Sequence, residues 1–179
     1  MCDHFTTLRL FAFIKPGWEF CAIDALGLSG GILSTWNPRL VRCKAYHSFV
    51  VILLSASFKG LDSVFSIVNC YGTYSNKTTY WDTAVAGGIF NYPNLILVGD
   101  LNFTIFDLEI WGERARMDHL SLYFAQLLES MHMVDLAPTK IEPTYRNGRV
   151  GPEGVSKRLD RFLASLHLIP TLGFYHYWI

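Results

Sequence analysis

Four stretches of the chain carry the pattern of buried strands: Gly31 to Trp36, Lys44 to Ser55, Val64 to Tyr71 and Leu95 to Asp100. Each is short and rich in β-branched and aromatic residues. V-F-S-I-V-N-C-Y mixes alternation with continuous apolar positions, as a sheet covered on at least one face requires. Two segments read as helices. The first, roughly Lys77 to Phe90, spaces Trp81, Val85 and Ile89 four apart, and Gly87 and Gly88 weaken its far end. The second, about Asp118 to Met133, sets Leu120, Phe124, Leu127, Leu128 and Met131 on one face, with Asp118 as N-cap and Met131 and Met133 as core filler. R-L-D-R-F-L-A-S-L, beginning at Arg158, fits either period. As a strand it puts Asp160 and Phe162 on one face; as a helix it pairs Asp160 with Ala164. Strands interleaved with helices predict an α/β layered domain with mixed sheets.

Composition narrows the class. A length of 179 residues favours one domain, and 51% hydrophobic against 17% charged residues excludes a disordered chain. The formal net charge is zero, so no global positive field draws in nucleic acid or an anionic membrane. Locally, Arg146, Arg149, Lys157, Arg158 and Arg161 lie close together, either as a solvated basic stretch or as a nucleic-acid contact. Cys2, Cys21, Cys43 and Cys70 sit in apolar segments without a C-x-x-C pair and read as reduced core residues of an intracellular protein, nuclear or cytoplasmic. The N-terminus lacks a secretory layout, and the apolar run Phe49 to Ala56 is too short to span a bilayer. Neither a membrane nor an obligate protein partner is expected.

The chemistry concentrates at strand ends. L-V-G-D-L-N closes a buried strand with Gly99, Asp100 and Asn102. Two apart in an extended chain, Asp100 and Asn102 point the same way. A carboxylate that orients water beside an amide that donates to an oxyanion suits attack on an ester, phosphate above all. An Asp and an Asn starting an ordinary turn after a strand is the plainer alternative. N-C-Y-G-T-Y ends another strand with Tyr71 before a glycine, and a half-buried tyrosine is commonly core. G-L-S-G-G-I-L-S-T-W lacks the Lys-Ser/Thr ending of a phosphate loop and reads as a turn entering a strand.

Taken in order, S-G-G-I-L-S-T-W, N-C-Y-G, L-I-L-V-G-D-L-N, P-T-Y-R-N-G-R and S-K-R-L-D-R-F-L-A-S resemble the endonuclease/exonuclease/phosphatase superfamily, which includes DNase I-like nucleases and apurinic endonucleases. The wording is most similar to the endonuclease domains of plant LINE-type (non-LTR) retrotransposons, over about Trp18 to Leu168. The resemblance implies a two-sheet mixed β-sandwich flanked by helices, with R-L-D-R-F-L as a strand. It implies hydrolysis of phosphate esters with Mg²⁺ and DNA as partner. By position, Asp100 matches the carboxylate that orients or deprotonates the water and is the one candidate metal ligand. Asn102 matches the amide on the scissile phosphate, and Tyr71 the residue that hydrogen-bonds a phosphate oxygen. Asp160 matches the aspartate that orients a catalytic histidine, and Thr144 falls in a Thr-aromatic element of the substrate groove. Arg146, Arg149 and Lys157 are candidate nucleic-acid contacts.

Two pieces of the pattern are absent. The metal-binding glutamate of a Gln-Glu-Thr element has no counterpart: no glutamate precedes Glu19, and Asp3 matches nothing. The closing Ser-Asp-His is missing as well, and His176 follows no aspartate and does not replace its histidine. The expectation is therefore one partial domain over residues 1–179, truncated at both ends, with an incomplete metal site and weak or no hydrolase activity. A non-catalytic nucleic-acid-binding remnant and a small-molecule phosphoesterase are the alternatives.

Overall fold

The structure, a computed structural model, describes residues 13–25, 31–48 and 51–172. It divides into two compact units. The first holds the described residues up to Tyr71 together with Tyr92–Leu97; the second holds Gly72–Asn91 and the described residues from Val98 on.

In the first unit β1 (Glu19–Ile23) pairs antiparallel with β2 (Ile32–Trp36), and the Trp36 indole N–H donates to Glu19 Oε2 at 2.7 Å. Strands β3 (Val41–His47), β4 (Val51–Phe58) and β5 (Val64–Cys70) form an antiparallel ladder, with β6 (Leu95–Asp100) next in the hydrogen-bonded order. The predicted single strand Lys44 to Ser55 is thus two strands. His47 pairs with Ile52, and the Ser48 N–H donates to Val51 O at 2.9 Å where the chain reverses. Apolar residues flank that reversal on both sides, so periodicity does not reveal it. Along β4, Ile52, Leu54 and Ala56 alternate into a core with Ile32, Trp36 and Val41. Cys21 and Cys43 lie half-buried and Cys70 buried as thiols, and burial pushes the Cys21 and Cys43 pKa up; Cys2 lies outside the described residues.

In the second unit α1 (Lys77–Ala86) and α2 (Ser121–Ser130) bring Trp81 and Phe124 onto Phe103. Phe103 and Phe124 stack with centroids 3.9 Å apart, and Trp81 meets Phe103 edge-on at 5.8 Å. Helix α1 ends before the predicted Phe90. Gly88 takes φ 76°, and Ile89 begins a short 3₁₀ turn. Helix α2 is likewise shorter than predicted. Asp118 lies three residues before its first residue, so Leu120 and not Asp118 is the N-cap, and Asp118 accepts the Leu120 N–H at 3.1 Å. The second half of β6 continues in the order β6-β11-β8, where β11 is Asp160–Ser165 and β8 is Met133–Asp135. The ambiguous R-L-D-R-F-L-A-S run is therefore a strand from Asp160 onward. A small antiparallel sheet orders β7 (Ile110–Trp111), β10 (Ser156–Lys157) and β9 (Tyr145–Arg146). Among the described residues no helix is long and apolar enough to cross a membrane.

Candidate active site

Leu95 and Leu97 are fully buried, which anchors β6 and fixes where Asp100 emerges. Beyond it the chain does not stay extended. Asn102 adopts φ 56°, a left-handed conformation that Asn tolerates better than most residues. Sequence alternation puts the Asp100 and Asn102 side chains on one face of a strand; the turn instead links the Asp100 side chain to the Asn102 backbone. The Asn102 backbone N–H turns back onto Asp100 Oδ1 at 2.9 Å. The Asn102 amide donates to Gly72 O at 2.6 Å, and the Gly72 N–H donates to Asp100 O at 2.6 Å. Gly72 must lack a side chain here. A Cβ on it would lie 2.4 Å from Leu101 O, closer than any real contact.

Asp160 reaches the same place from β11. The Leu101 N–H donates to Leu159 O at 3.0 Å, tying the Asp160 segment to the Asp100 turn. Thr144 Oγ1 accepts the N–H groups of both Leu159 and Asp160 at 3.0 Å. That threonine therefore already has a place in the frame that holds Asp160. Burial raises the Asp100 pKa above its ordinary value and the Asp160 charge adds to the rise; the Asn102 N–H and the Lys77 charge oppose it.

Lys77, the first residue of α1, escaped sequence reasoning. Its ammonium pairs with Asp118 Oδ2 at 2.8 Å. Burial alone would raise Asp118, but Lys77 and the Leu120 N–H outweigh it and hold the carboxyl below its ordinary value. Forty-one residues separate the partners, and no local pattern announces the pair.

The basic stretch from Arg146 to Arg161 divides. Arg158 and Arg161 are 1% exposed and lie in a buried quartet with Glu109 and Asp135, so they are not surface contacts. Arg158 donates to Glu109 Oε1 at 2.8 Å and to both Asp135 oxygens at 2.8 Å; Arg161 donates to Glu109 Oε2 at 2.6 Å and also pairs with Asp135. The Arg161 guanidinium lies 5.1 Å over the Phe103 ring. Glu109 is a stronger acid than usual: burial opposes this, but Arg161 and the Ile105 and Phe106 N–H groups prevail. Arg146 and Arg149 are exposed, with Arg149 4.0 Å from Glu153, and Lys157 is half-buried.

Tyr71 belongs to the first unit, where it is half-buried against the Ile32 and Trp36 core. Asp100, Asn102, Asp160 and Thr144 come together in the second. His176 and Asp3 lie outside the described residues. Among the described residues no three His, Cys, Asp or Glu side chains gather as a metal cluster. The donors brought together are Asp100 and Asp160.

The depressed pKa values of Glu109 and Asp118 make an acid-stability prediction. Their ordinary values are 4.5 and 3.8, and both fall on folding. The stability they confer is whole above those values and is lost as pH falls through the lower folded ones. Urea midpoints for the chain should hold steady from about pH 7 to about pH 5 and drop steeply toward about pH 3. A midpoint that stays level across that range contradicts the assignment.

No family model matches the chain, and no curated protein does. Solved structures do. The endonuclease domain of TRAS1, a telomere-specific non-LTR retrotransposon, matches with TM-score 0.63 and 15% identity, over 87% of this chain and 70% of that one. The 3′-5′ exonuclease NExo from Neisseria meningitidis matches with TM-score 0.58 and 17% identity, over 88% and 71%. AP endonuclease LMAP from Leishmania major matches with TM-score 0.59 and 17% identity, over 86% and 63%. At these identities the likeness establishes a fold, mixed sheets with flanking helices.

Proposed function

We propose that this chain, built on the endonuclease/exonuclease/phosphatase (DNase I-like) fold, hydrolyses phosphate esters of nucleic acid with a divalent cation. The observation that carries the reading is the Leu101 N–H bond to Leu159 O, which sets Asp160 near enough to the Asn102 turn for its charge to act on Asp100. Nucleic acid is the favoured substrate class because structures of this fold include NExo from Neisseria bound to a product DNA hairpin and D. rerio TDP2 complexed with a single-strand DNA product. Retroelement origin, including the plant LINE flavour of the sequence, belongs to the same proposal.

A phosphate ester repels its nucleophile, so the site needs a cation and directed donors. Magnesium is commonly tethered by one or two carboxylates, with water and substrate oxygens completing the shell. Asp100 and Asp160 meet that minimum; burial is the main reason the Asp100 pKa is raised, and the smaller contribution of the Asp160 charge is one a cation would offset. The ion would neutralise charge developing on the phosphate. Asp100 orients the attacking water and takes its proton. Asn102, one amide hydrogen already on Gly72 O, directs the other at a phosphate oxygen. Asp160 supplies the second carboxylate, and the Thr144 hydroxyl contributes a phosphate contact.

Plasmid nicking tests this. The chain with Mg²⁺ should convert supercoiled DNA to open circles slowly, EDTA should stop it, and Asp100→Ala should cut the rate by about 100-fold or more. Equal rates for the two chains overturn the hydrolase reading. A second reading, nucleic-acid binding without cleavage, is favoured by the lack of a three-donor cluster among the described residues. It predicts that Arg146→Ala with Arg149→Ala weakens duplex DNA retention and lowers the salt slope by about 2. Retention that is unchanged removes these residues from the interface.

A further inference from the structure

The first unit carries a second concentration of chemistry, at the end of the β3–β4 ladder. Asn37 starts a turn in which its side chain accepts the Arg39 N–H at 3.0 Å and its carbonyl accepts the Leu40 N–H at 3.0 Å. The Lys59 N–H then donates to Leu40 O at 2.9 Å, clasping this turn to the one that follows β4. Val41 pairs with Phe58 just inside the clasp. The result is an open groove of about 580 Å³ with Leu40, Val41 and Phe58 in its wall. Three cations line it, Arg39, Arg42 and Lys59, and among the described residues no Asp or Glu does. All three are exposed. None makes a salt bridge among the described residues, whereas Lys77, Arg114, Lys140, Arg158 and Arg161 all do.

A chain with zero net charge has no general surplus of positive potential, so three like charges around one apolar groove are a local feature. Their mutual repulsion goes uncompensated by any carboxylate in the lining. A ligand that fits must carry anionic groups for the three cations and an apolar part for Leu40 and Phe58. Its volume matches the range of sites that take small organic groups, about 300–1,000 Å³. Single-stranded nucleic acid has this chemistry: phosphates for the cations and an unpaired base for Leu40 and Phe58. A duplex hides its base faces, and anionic membranes are drawn by clusters of about 4–8 basic residues. We infer that the groove between the Asn37–Leu40 turn and Lys59 is a binding site for single-stranded nucleic acid, with Arg39, Arg42 and Lys59 on the phosphates.

Fluorescence anisotropy of a labelled oligothymidylate, read with the intact chain in EDTA, tests the site whether or not the chain cleaves DNA. Combined Arg39→Ala, Arg42→Ala and Lys59→Ala should weaken binding by about tenfold or more and lower the salt slope by about 2, near 0.7 per lost cation. The matching double variant Arg39→Lys with Arg42→Lys keeps the charge and should retain most of the affinity. Circular dichroism melting of both variants should follow the parent, since the residues are exposed. Unchanged affinity and slope in the triple variant overturn the proposal. So does a triple variant that loses only its retention on anionic phospholipid vesicles, or only its competition by free nucleotide.

Discussion

Glu109→Ala should lower the stability of the second unit by about 3–5 kcal/mol, the scale observed when one partner of a buried ion pair is removed. Glu109 takes one guanidinium on each carboxylate oxygen, and its Oε2 also accepts the Ile105 N–H at 2.7 Å and the Phe106 N–H at 3.2 Å. Truncation takes one of the quartet's two carboxylates from two buried cations and unpairs two backbone donors. The cost is that of leaving charge in a poorly solvating interior, not the net worth of the quartet. Replacing all four members by apolar residues of similar volume would therefore cost far less. Urea denaturation followed by tryptophan fluorescence measures the loss. Glu142→Ala, which removes only the exposed pair with Lys140, should leave the urea midpoint unchanged. Similar small losses for both variants contradict the role given to the quartet.

That quartet also marks where sequence reading stops. Arg158 and Arg161 looked like surface charge because their partners lie 49 and 23 residues back in the chain from Arg158. Nothing local reveals a partner at that range, and Lys77 escaped with Asp118 for the same reason. By contrast β6 was legible to its end residues, since buried leucines alternate up to the glycine where the strand opens. The β3–β4 reversal was not, because the turn lies inside an apolar stretch. At the candidate site the residue types were readable and the geometry was not. Asp and Asn two apart suggest one face of a strand, but the left-handed Asn102 replaces that face with a closed turn.

That turn depends on Gly72, and Gly72→Val should destroy it. The constraint is space and not dihedral freedom: even the first carbon of a side chain would press on the Leu101 carbonyl, carbon and Cα, at 2.4, 2.6 and 3.0 Å. These are backbone atoms and cannot swing aside. To make room, residues 72 and 101 must part, which breaks the Gly72 N–H bond to Asp100 O and the Asn102 bond to Gly72 O together. Two lost hydrogen bonds at about 1 kcal/mol each and overpacking of about 1–3 kcal/mol give a cost near 3–5 kcal/mol. Asn102 would also lose the anchor that holds it at φ 56°, so Asp100 would lose its N–H donor. Nicking should then fall as far as in Asp100→Ala, although Asp100, Asn102 and Asp160 are all still present. Gly72→Ala should fall between the parent and Gly72→Val in both stability and rate. A Gly72→Val chain that melts and nicks like the parent would mean that the Asn102 turn neither supports the fold nor orients the carboxylate.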